Sequence, residues 1–387
     1  MNYLLPLTVV LILVSTTHSS GGWDRICASD PSNLWLDIVI VVDNSKNLTN
    51  NKLELIHANI VELLGEGTRI GTNYDDPRTT RVGLVTYNQN ATIVADLNKF
   101  QTFQDLYDTA EIALSTVATT ESSFLQKGLA AAEQLLLSGR SNNYRSNYKQ
   151  LVIVYALMYE GTGTLDPLPV ANRLKNNGVT IAVVDMISGK YWEDTSLSMI
   201  ASGNMFWWYD YRTAFQLMNA ALQTNCHCRN TWVQFLPNPG TYARGVCVKV
   251  FNQTTSWQIA KISCQDTIAN GYLVTDFASD KHQFLQALFQ NTTGFSSGYH
   301  IGLTYLDGAW YWQQPAGQSP FGLTGSNVAA DIFWNTAYPK SMTSNTGVAT
   351  IKDGNQTGWE NINAHNSMQY YICEVDACDT DNYCPWV

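Results

Sequence analysis

Continuous apolar runs alternate with amphipathic segments over the first half of the chain. Runs such as "LWLDIVIVV", "KQLVIVYALMY" and "VTIAVVDMI" read as buried strands, and segments such as "NKLELIHANIVELLGE" have apolar residues at helical spacing. Strands that are apolar throughout need cover on both faces of their sheet, and the intervening helices supply it. Residues 34–224 are therefore predicted to form an α/β doubly wound domain with a mostly parallel sheet.

The composition changes after "NCHCRN". Residues 226–387 are rich in Trp, Tyr, Gly, Asn and Thr and hold seven of the eight cysteines. Few segments there have helical periodicity, so a loop-rich domain stapled by disulfides is predicted. The boundary between the two parts is expected near Asn225 to Arg229.

The first residues have the layout of a secretory signal peptide, predicted over residues 1–19. An apolar run from Leu4 to Val14 is followed by small polar residues. This run of about 11 residues is short for a membrane span, which needs about 20. Eight cysteines suit an oxidising compartment, so we expect a secreted, extracellular protein without a membrane span. A net charge of -10 argues against nucleic acid as a partner.

Polar side chains follow the first predicted strand at alternate positions: Asp43, Ser45 and Asn47. Ligands of open α/β sheets sit at the carboxyl ends of strands. With the order of its elements, this run resembles a von Willebrand factor A domain over residues 34–224. The resemblance implies a metal-dependent adhesion site built from an Asp-x-Ser-x-Ser run, a Thr from a later loop and an Asp after the fourth strand. Such oxygen ligands suit Mg²⁺ or Ca²⁺.

The match to that metal site is partial. Asp43 and Ser45 fit, Asn47 stands in place of the second Ser, and Ser123 is nearest to the Thr. These four are the candidate metal ligands.

The expected Asp after the fourth strand is missing. An ungapped reading places Ala156 or Leu157 there, and a slip of about three residues would offer Glu160. One carboxylate offsets little of the dehydration cost of an ion. We therefore expect the scaffold to be kept and Mg²⁺ or Ca²⁺ to bind weakly if at all.

The second part resembles a C-type lectin-like domain, which implies an α+β fold over residues 228–376. The resemblance is carried by the amphipathic segment "SWQIAKISCQDT" and by Ile301-Gly302-Leu303, Trp310, Trp312, Trp359 and Cys373-Glu374 in order. It also implies recognition of glycans. Packing in the core, rather than direct sugar stacking, is expected for Trp310 and Trp312.

The calcium cage implied by this second resemblance is altered. Family lectins hold Ca²⁺ with a Glu-Pro-Asn or Gln-Pro-Asp loop and a later Trp-Asn-Asp. Here Pro339 lies between Tyr338 and Lys340, and the later motif reads Trp359-Glu360-Asn361. The candidate ligand-binding residues are Pro339, Trp359, Glu360 and Asn361. Calcium-dependent binding by the family's route is expected to be lost, because a lysine repels the ion.

The same resemblance implies disulfide pairs, although eight cysteines allow 105 connectivities. It implies a bond across the domain, Cys264–Cys373, and one in an N-terminal hairpin, Cys228–Cys247. Cys27 and Cys226 remain, and they flank the α/β domain. Cys378 and Cys384 then form a small loop in a C-terminal tail, residues 377–387.

No motif of a known catalytic site is present in the sequence, so we do not expect an enzyme. The combination of the two domain types resembles a group of secreted nematode proteins and implies recognition of glycans or microbial surfaces in innate defence. The alternative is an extracellular adhesion or matrix protein that binds other proteins through the α/β domain.

Export predicts N-linked sugar on this chain. Asn-x-Ser/Thr acceptors lie at Asn47, Asn90, Asn252, Asn291 and Asn355. Mass spectrometry of the native secreted protein should find sugar on some of the last four. A wholly bare chain would count against the predicted compartment.

Overall fold

The computed structural model describes residues 24–65, 67–187, 196–237, 242–276, 278–323, 333–341 and 346–385. The predicted signal peptide, residues 1–19, lies outside the described residues. Two β-sheets follow one another along the described chain.

The first sheet has six strands in the order β3-β2-β1-β4-β5-β6. They are β1 (Leu36–Asp43), β2 (Arg81–Tyr87), β3 (Ala91–Ala95), β4 (Lys149–Ala156), β5 (Val179–Asp185) and β6 (Phe206–Trp208). Neighbouring strands are parallel except β2 and β3. Every residue of the central strand β1 is buried, as expected when helices cover both faces.

The helices of this half lie on both faces of the sheet. They are α1 (Asn50–Leu63), α2 (Phe103–Ala113), α3 (Leu125–Gly139), α4 (Leu168–Asn176) and α5 (Thr213–Asn225). Apolar residues of α1, α2 and α5 join one core, and those of α3 and α4 join the other. The predicted α/β doubly wound fold is confirmed. The edge strand β3 is missed by the sequence analysis, because its partly exposed residues break the apolar pattern.

The second half contains a mixed sheet and two long helices. The strands are β7 (Val233–Gln234), β8 (Val246–Ser256), β9 (Tyr272–Leu273), β10 (Tyr299–Leu306), β11 (Ala309–Trp312), β12 (Phe321–Gly322), β13 (Thr346–Asp353), β14 (Gln356–Asn363) and β15 (Met368–Asp376). The helices are α6 (Trp257–Thr267) and α7 (Ser279–Thr293). The last strand, β15, pairs antiparallel with β8, so the two ends of this α+β unit lie side by side.

Tryptophans fill the core of the second half. Trp312 and Trp359 are fully buried and their rings meet edge to face at 5.6 Å. Trp257 donates from Nε1 to the carbonyl oxygen of Ile301 at 2.8 Å. Because the indole nitrogens of Trp257 and Trp359 have acceptors, these large rings are buried without losing those hydrogen bonds.

All eight cysteines lie in described residues and form four disulfides. The bonds are Cys27–Cys226, Cys228–Cys247, Cys264–Cys373 and Cys378–Cys384, the same pairs as expected from the sequence. Cys264–Cys373 joins α6 to β15 and closes a loop with a sequence separation of 109 residues.

The difference in loop length predicts unequal stabilisation. Replacing Cys264 and Cys373 by Ala should lower the free energy of unfolding by about 2–5 kcal/mol, since a long loop gains most freedom in the unfolded chain. The matched control replaces Cys378 and Cys384, which are separated by 6 residues, and should cost less. Urea denaturation followed by near-ultraviolet circular dichroism measures both. Equal losses would contradict this account.

Candidate functional site

Asp43 lies at the carboxyl end of β1 and organises the polar edge of the first sheet. Its Oδ1 accepts from the backbone nitrogen of Ser45 at 2.8 Å. Its Oδ2 accepts from Ser123 Oγ at 2.6 Å and from the Leu157 nitrogen at 3.4 Å. Asp43, Ser45 and Ser123 are all fully buried. The structure therefore brings together three of the four candidate metal ligands.

Glu160 also reaches this cluster. Strand β4 ends at Ala156, so Leu157 follows it directly, as the ungapped reading expects. Glu160 Oε2 nevertheless accepts from the backbone nitrogen of Ser123 at 2.7 Å. Ser123 thus donates to two carboxylates, one through its hydroxyl and one through its N–H. In the sequence, Glu160 is recognisable only as an acidic residue a few positions beyond the end of a predicted strand.

Asn47 lies apart from the cluster. Its side chain is exposed, and Nδ2 donates to the carbonyl oxygen of Glu121 at 3.3 Å. Nδ2 is also the atom to which N-linked sugar attaches. All five acceptor asparagines are exposed: Asn47, Asn90, Asn252, Asn291 and Asn355.

Lys52 brings a positive charge of the protein toward the same edge. Its Nζ donates to the Met186 carbonyl oxygen at 2.6 Å. Burial lowers the pKa of Lys52, and the charges of Asp185 and Asp43 oppose that shift. The negative charges of Asp43 and Asp185 are therefore partly compensated by the ammonium group of Lys52.

The residues of this cluster do not fit a tightly held divalent ion. The Asp43 carboxylate already accepts three protein hydrogen bonds. Leu157 presents an N–H where the resemblance implies a carboxylate. The buried Ser45 hydroxyl has no partner in the described structure, but one free oxygen is far from the six to eight that Ca²⁺ takes. Within the described ranges, no three His, Cys, Asp or Glu side chains are grouped to share a metal.

The second candidate site lies on the loop that carries Pro339. The Lys340 nitrogen donates to Asn361 Oδ1 at 2.8 Å, and Asn361 Nδ2 donates to the Lys340 carbonyl oxygen at 3.2 Å. Lys340 Nζ donates to the Tyr338 hydroxyl at 2.7 Å, and this hydrogen bond raises the pKa of Lys340. Pro339 is exposed between them. We define Phe333–Lys340 with Gln356–Asn361 as the glycan loop region, after the glycan recognition that the sequence resemblance implies.

The other two predicted ligand residues have protein partners. Glu360 Oε1 accepts from Asn335 Nδ2 at 2.9 Å. Trp359 is fully buried and donates from Nε1 to Asp276 Oδ2 at 2.8 Å. Placing Trp359 among the residues that touch a ligand is therefore wrong, because its ring belongs to the core. Lys340 would repel a cation, and Glu360 and Asn361 already accept protein hydrogen bonds through their side-chain oxygens. This site therefore does not fit a calcium cage either.

Residues 37–224 match the family model of the von Willebrand factor type A domain. The chain contains a von Willebrand factor type A domain. Among solved structures, proximal thread matrix protein 1 from mussel byssus is similar at 19% identity and a TM-score of 0.43, covering 51% of this chain and 50% of that protein. Mouse scavenger receptor C-type lectin carbohydrate-recognition domain is similar at 18% identity and a TM-score of 0.27, covering 38% and 96%.

Two curated proteins are also similar to this chain. C-type lectin domain-containing protein 160 of Caenorhabditis elegans is 24% identical over 92% of this chain, and the chain spans 56% of its length. A Daboia siamensis protein, Snaclec coagulation factor X-activating enzyme light chain 2, is 32% identical over 72 residues. These residues are 18% of this chain and 46% of that protein. The second half has an α+β topology with an end-to-end disulfide, as the sequence resemblance to a C-type lectin-like domain implies.

None of the helices in the described ranges has the length and apolar character needed to cross a bilayer.

The donor sets predict little stabilisation by metal. Millimolar Mg²⁺ or Ca²⁺ should barely raise the melting temperature relative to EDTA. An ion at about 100 times its dissociation constant would add about 2.7 kcal/mol, which is easily measured. The melts are repeated on Asp43→Ala and Glu360→Ala. A rise abolished by Asp43→Ala would show an ion in the first domain, and one abolished by Glu360→Ala would show calcium in the second.

Proposed function

We propose that this chain is a secreted recognition protein that binds glycans on microbial surfaces in innate defence, without needing a divalent ion. The observation that carries the proposal is the reciprocal pair of hydrogen bonds between Lys340 and Asn361. These bonds connect the Pro339 loop to β14 through protein groups, which is the task that the resemblance assigns to calcium. A loop held in place before binding loses less conformational entropy when a ligand arrives.

The glycan loop region offers suitable chemistry for sugar hydroxyls. Lys340 is exposed, and an ammonium group has three N–H donors, of which Tyr338 takes one. Glu360 and Asn361 are partly exposed and carry further acceptors. Trp334, half-buried in the same region, lies 4.9 Å from the half-buried ring of Trp310. Aromatic edges beside polar groups suit a ligand with apolar faces and hydroxyl rims.

Export is part of the proposal. Four disulfides suit an oxidising compartment, and every acceptor asparagine is accessible to glycosylation. A catalytic role is not proposed. The buried Asp276 and His282 pair resembles an acid–base pair, but its side chains contact the Thr357 carbonyl oxygen, the Trp359 indole and the Gln286 amide, none of which is a nucleophile.

One observation favours the alternative of an adhesion or matrix protein. Exposed Lys46 and Glu121 form a salt bridge at 3.0 Å beside exposed Asn47, at the carboxyl edge of the first sheet. This polar rim lies beside the buried Asp43 cluster and would suit a protein partner.

Binding to immobilised bacterial polysaccharide tests the proposal. Wild-type protein should bind equally with Ca²⁺ and with EDTA. Asn361→Ala removes both bonds to Lys340 and should weaken binding about tenfold, the effect of losing roughly one or two hydrogen bonds. Lys352→Ala, an exposed lysine on β13 outside the glycan loop region, is the matched control and should bind normally. The alternative would replace this proposal if the protein does not bind the polysaccharide but captures secreted host proteins. That capture would have to survive competition by the polysaccharide.

A further inference from the structure

The strand β3 leaves one side of the first sheet open. It stands at one end of the sheet order and, within the described chain, pairs only with β2. Its sequence, Ala-Thr-Ile-Val-Ala, has no charged residue and no proline, and Ile93 is 39% exposed. A cleft of about 550 Å³ lies beside it and is lined by Ile93, Val94, Ala95, Asp96, Asn98 and Lys99. The strand therefore has room on its outer side.

The second sheet has an open edge along the later part of β8. On one side, β8 pairs with β15 over nearly its whole length. On the other side, β7 reaches only two residues of β8, Cys247 and Val248. The rest of that side has no strand partner in the described ranges, and residues 252–254 are exposed there. β8 is thus an interior strand at its start and an edge strand at its end.

Open edges of this kind are places where a second copy of the chain could pair. An edge strand presents a row of main-chain N–H and C=O groups, and proteins block such edges with charged side chains, proline, bulges or a covering segment. The bulge of β3 lies near its end, at Val94, and leaves residues 91–93 in regular pairing. The exposed stretch of β8 reads Asn-Gln-Thr and has neither charge nor proline. Both edges therefore need another kind of cover.

An acceptor for N-linked sugar lies at each of these two edges. Asn90 directly precedes β3, and the Thr of its acceptor triplet, Thr92, is exposed on β3 itself. The triplet that begins at Asn252 is the exposed stretch of β8. An N-linked oligosaccharide is bulky and stays on the surface. At either place it would fill the space that an added strand needs.

The acceptor at Asn355 lies in a similar position, but the protein itself covers that edge. Asn355 directly precedes β14. The Trp359 nitrogen on β14 donates to the Phe333 carbonyl oxygen at 2.6 Å, and the Asn335 nitrogen donates to the Trp359 carbonyl oxygen at 3.1 Å. Since β14 also pairs with β13, it has main-chain partners on both sides, and a sugar at Asn355 has no open edge to cover.

We propose that N-linked sugars on Asn90 and Asn252 cover the open edges of the two sheets and keep copies of this chain from pairing strand to strand. The idea rests on the export that the proposed function includes, because this sugar is added to secreted chains. It gives these two acceptors a role that the acceptors at Asn291 and Asn355 do not share.

Mass spectrometry of the full chain secreted from insect cells is the first measurement. Sugar should be present on both Asn90 and Asn252. A bare asparagine at either position overturns the proposal for that edge.

Sedimentation velocity of acceptor variants is the second measurement. Asn90→Gln and Asn252→Gln should each raise the constant for self-association about tenfold or more, the effect of a net gain of one or two hydrogen bonds. Asn291→Gln on α7 and Asn355→Gln beside the covered edge of β14 are the matched controls and should sediment as the wild type does. The proposal is overturned if the first two variants also sediment as the wild type does, or if the controls associate equally.

A charge placed on the bare edge identifies the surface that pairs. Ile93→Lys, added to Asn90→Gln, sets an ammonium group on an exposed position of β3 and should restore the sedimentation of the wild type. Association that survives Ile93→Lys overturns the proposal at β3. If Asn90→Gln is not secreted, Thr92→Ala removes the same sugar, and Thr92→Ser is its control because it keeps the acceptor triplet.

Binding to immobilised bacterial polysaccharide separates this proposal from the proposed function. Asn90 and Asn252 lie outside the glycan loop region, so the two readouts are independent. Self-association of the two variants without polysaccharide binding by the wild type would support the role at the edges and reject the proposed function. Normal polysaccharide binding with unchanged sedimentation of both variants would do the opposite.

Discussion

The relative placement of the two domains depends on the burial of one indole, that of Trp35 just before β1. Its Nε1 donates to the Asp379 carbonyl oxygen at 2.8 Å, and its ring packs against Tyr148, Tyr383 and His227. Asp379 and Tyr383 belong to the small disulfide loop that follows the second domain. A tail that the sequence places after the second domain is therefore part of the core of the first, and separating the domains would expose a tryptophan.

The first described residues make the reciprocal connection. Lys281 on α7 forms ion pairs with Asp24 and Glu374, and burial raises the pKa of Asp24 to about 6. Cys27 is tied to Cys226 at the end of α5. The first described residues thus contact the second domain, while the last described residues contact the first. The next residue of α7, His282, contacts Thr357 and Phe333, so the helix that contacts the first described residues also contacts the glycan loop region.

Features that depend on a local sequence pattern can be predicted from the sequence. Apolar runs located β1, β4 and β5, and the order of cysteines and tryptophans located the lectin-like core. Contacts between distant residues were not predictable in this way. Glu160 reaches Ser123 through a loop whose path no periodicity specifies. Motif position says nothing about burial, so it does not reveal that the Trp359 ring lies in the core, and Asp276 and His282 have no recognisable spacing in the sequence.

Both domains solve the same electrostatic problem with protein hydrogen bonds. In the first, Ser123, Ser45 and Leu157 donate to the Asp43 carboxylate. In the second, Asn335 donates to Glu360 and Lys340 to Asn361. At the buried Asp43, an oxygen that a metal would hold must find a donor, since an unsatisfied one costs about 1–3 kcal/mol. Donors fixed in the fold cannot be removed by a chelator.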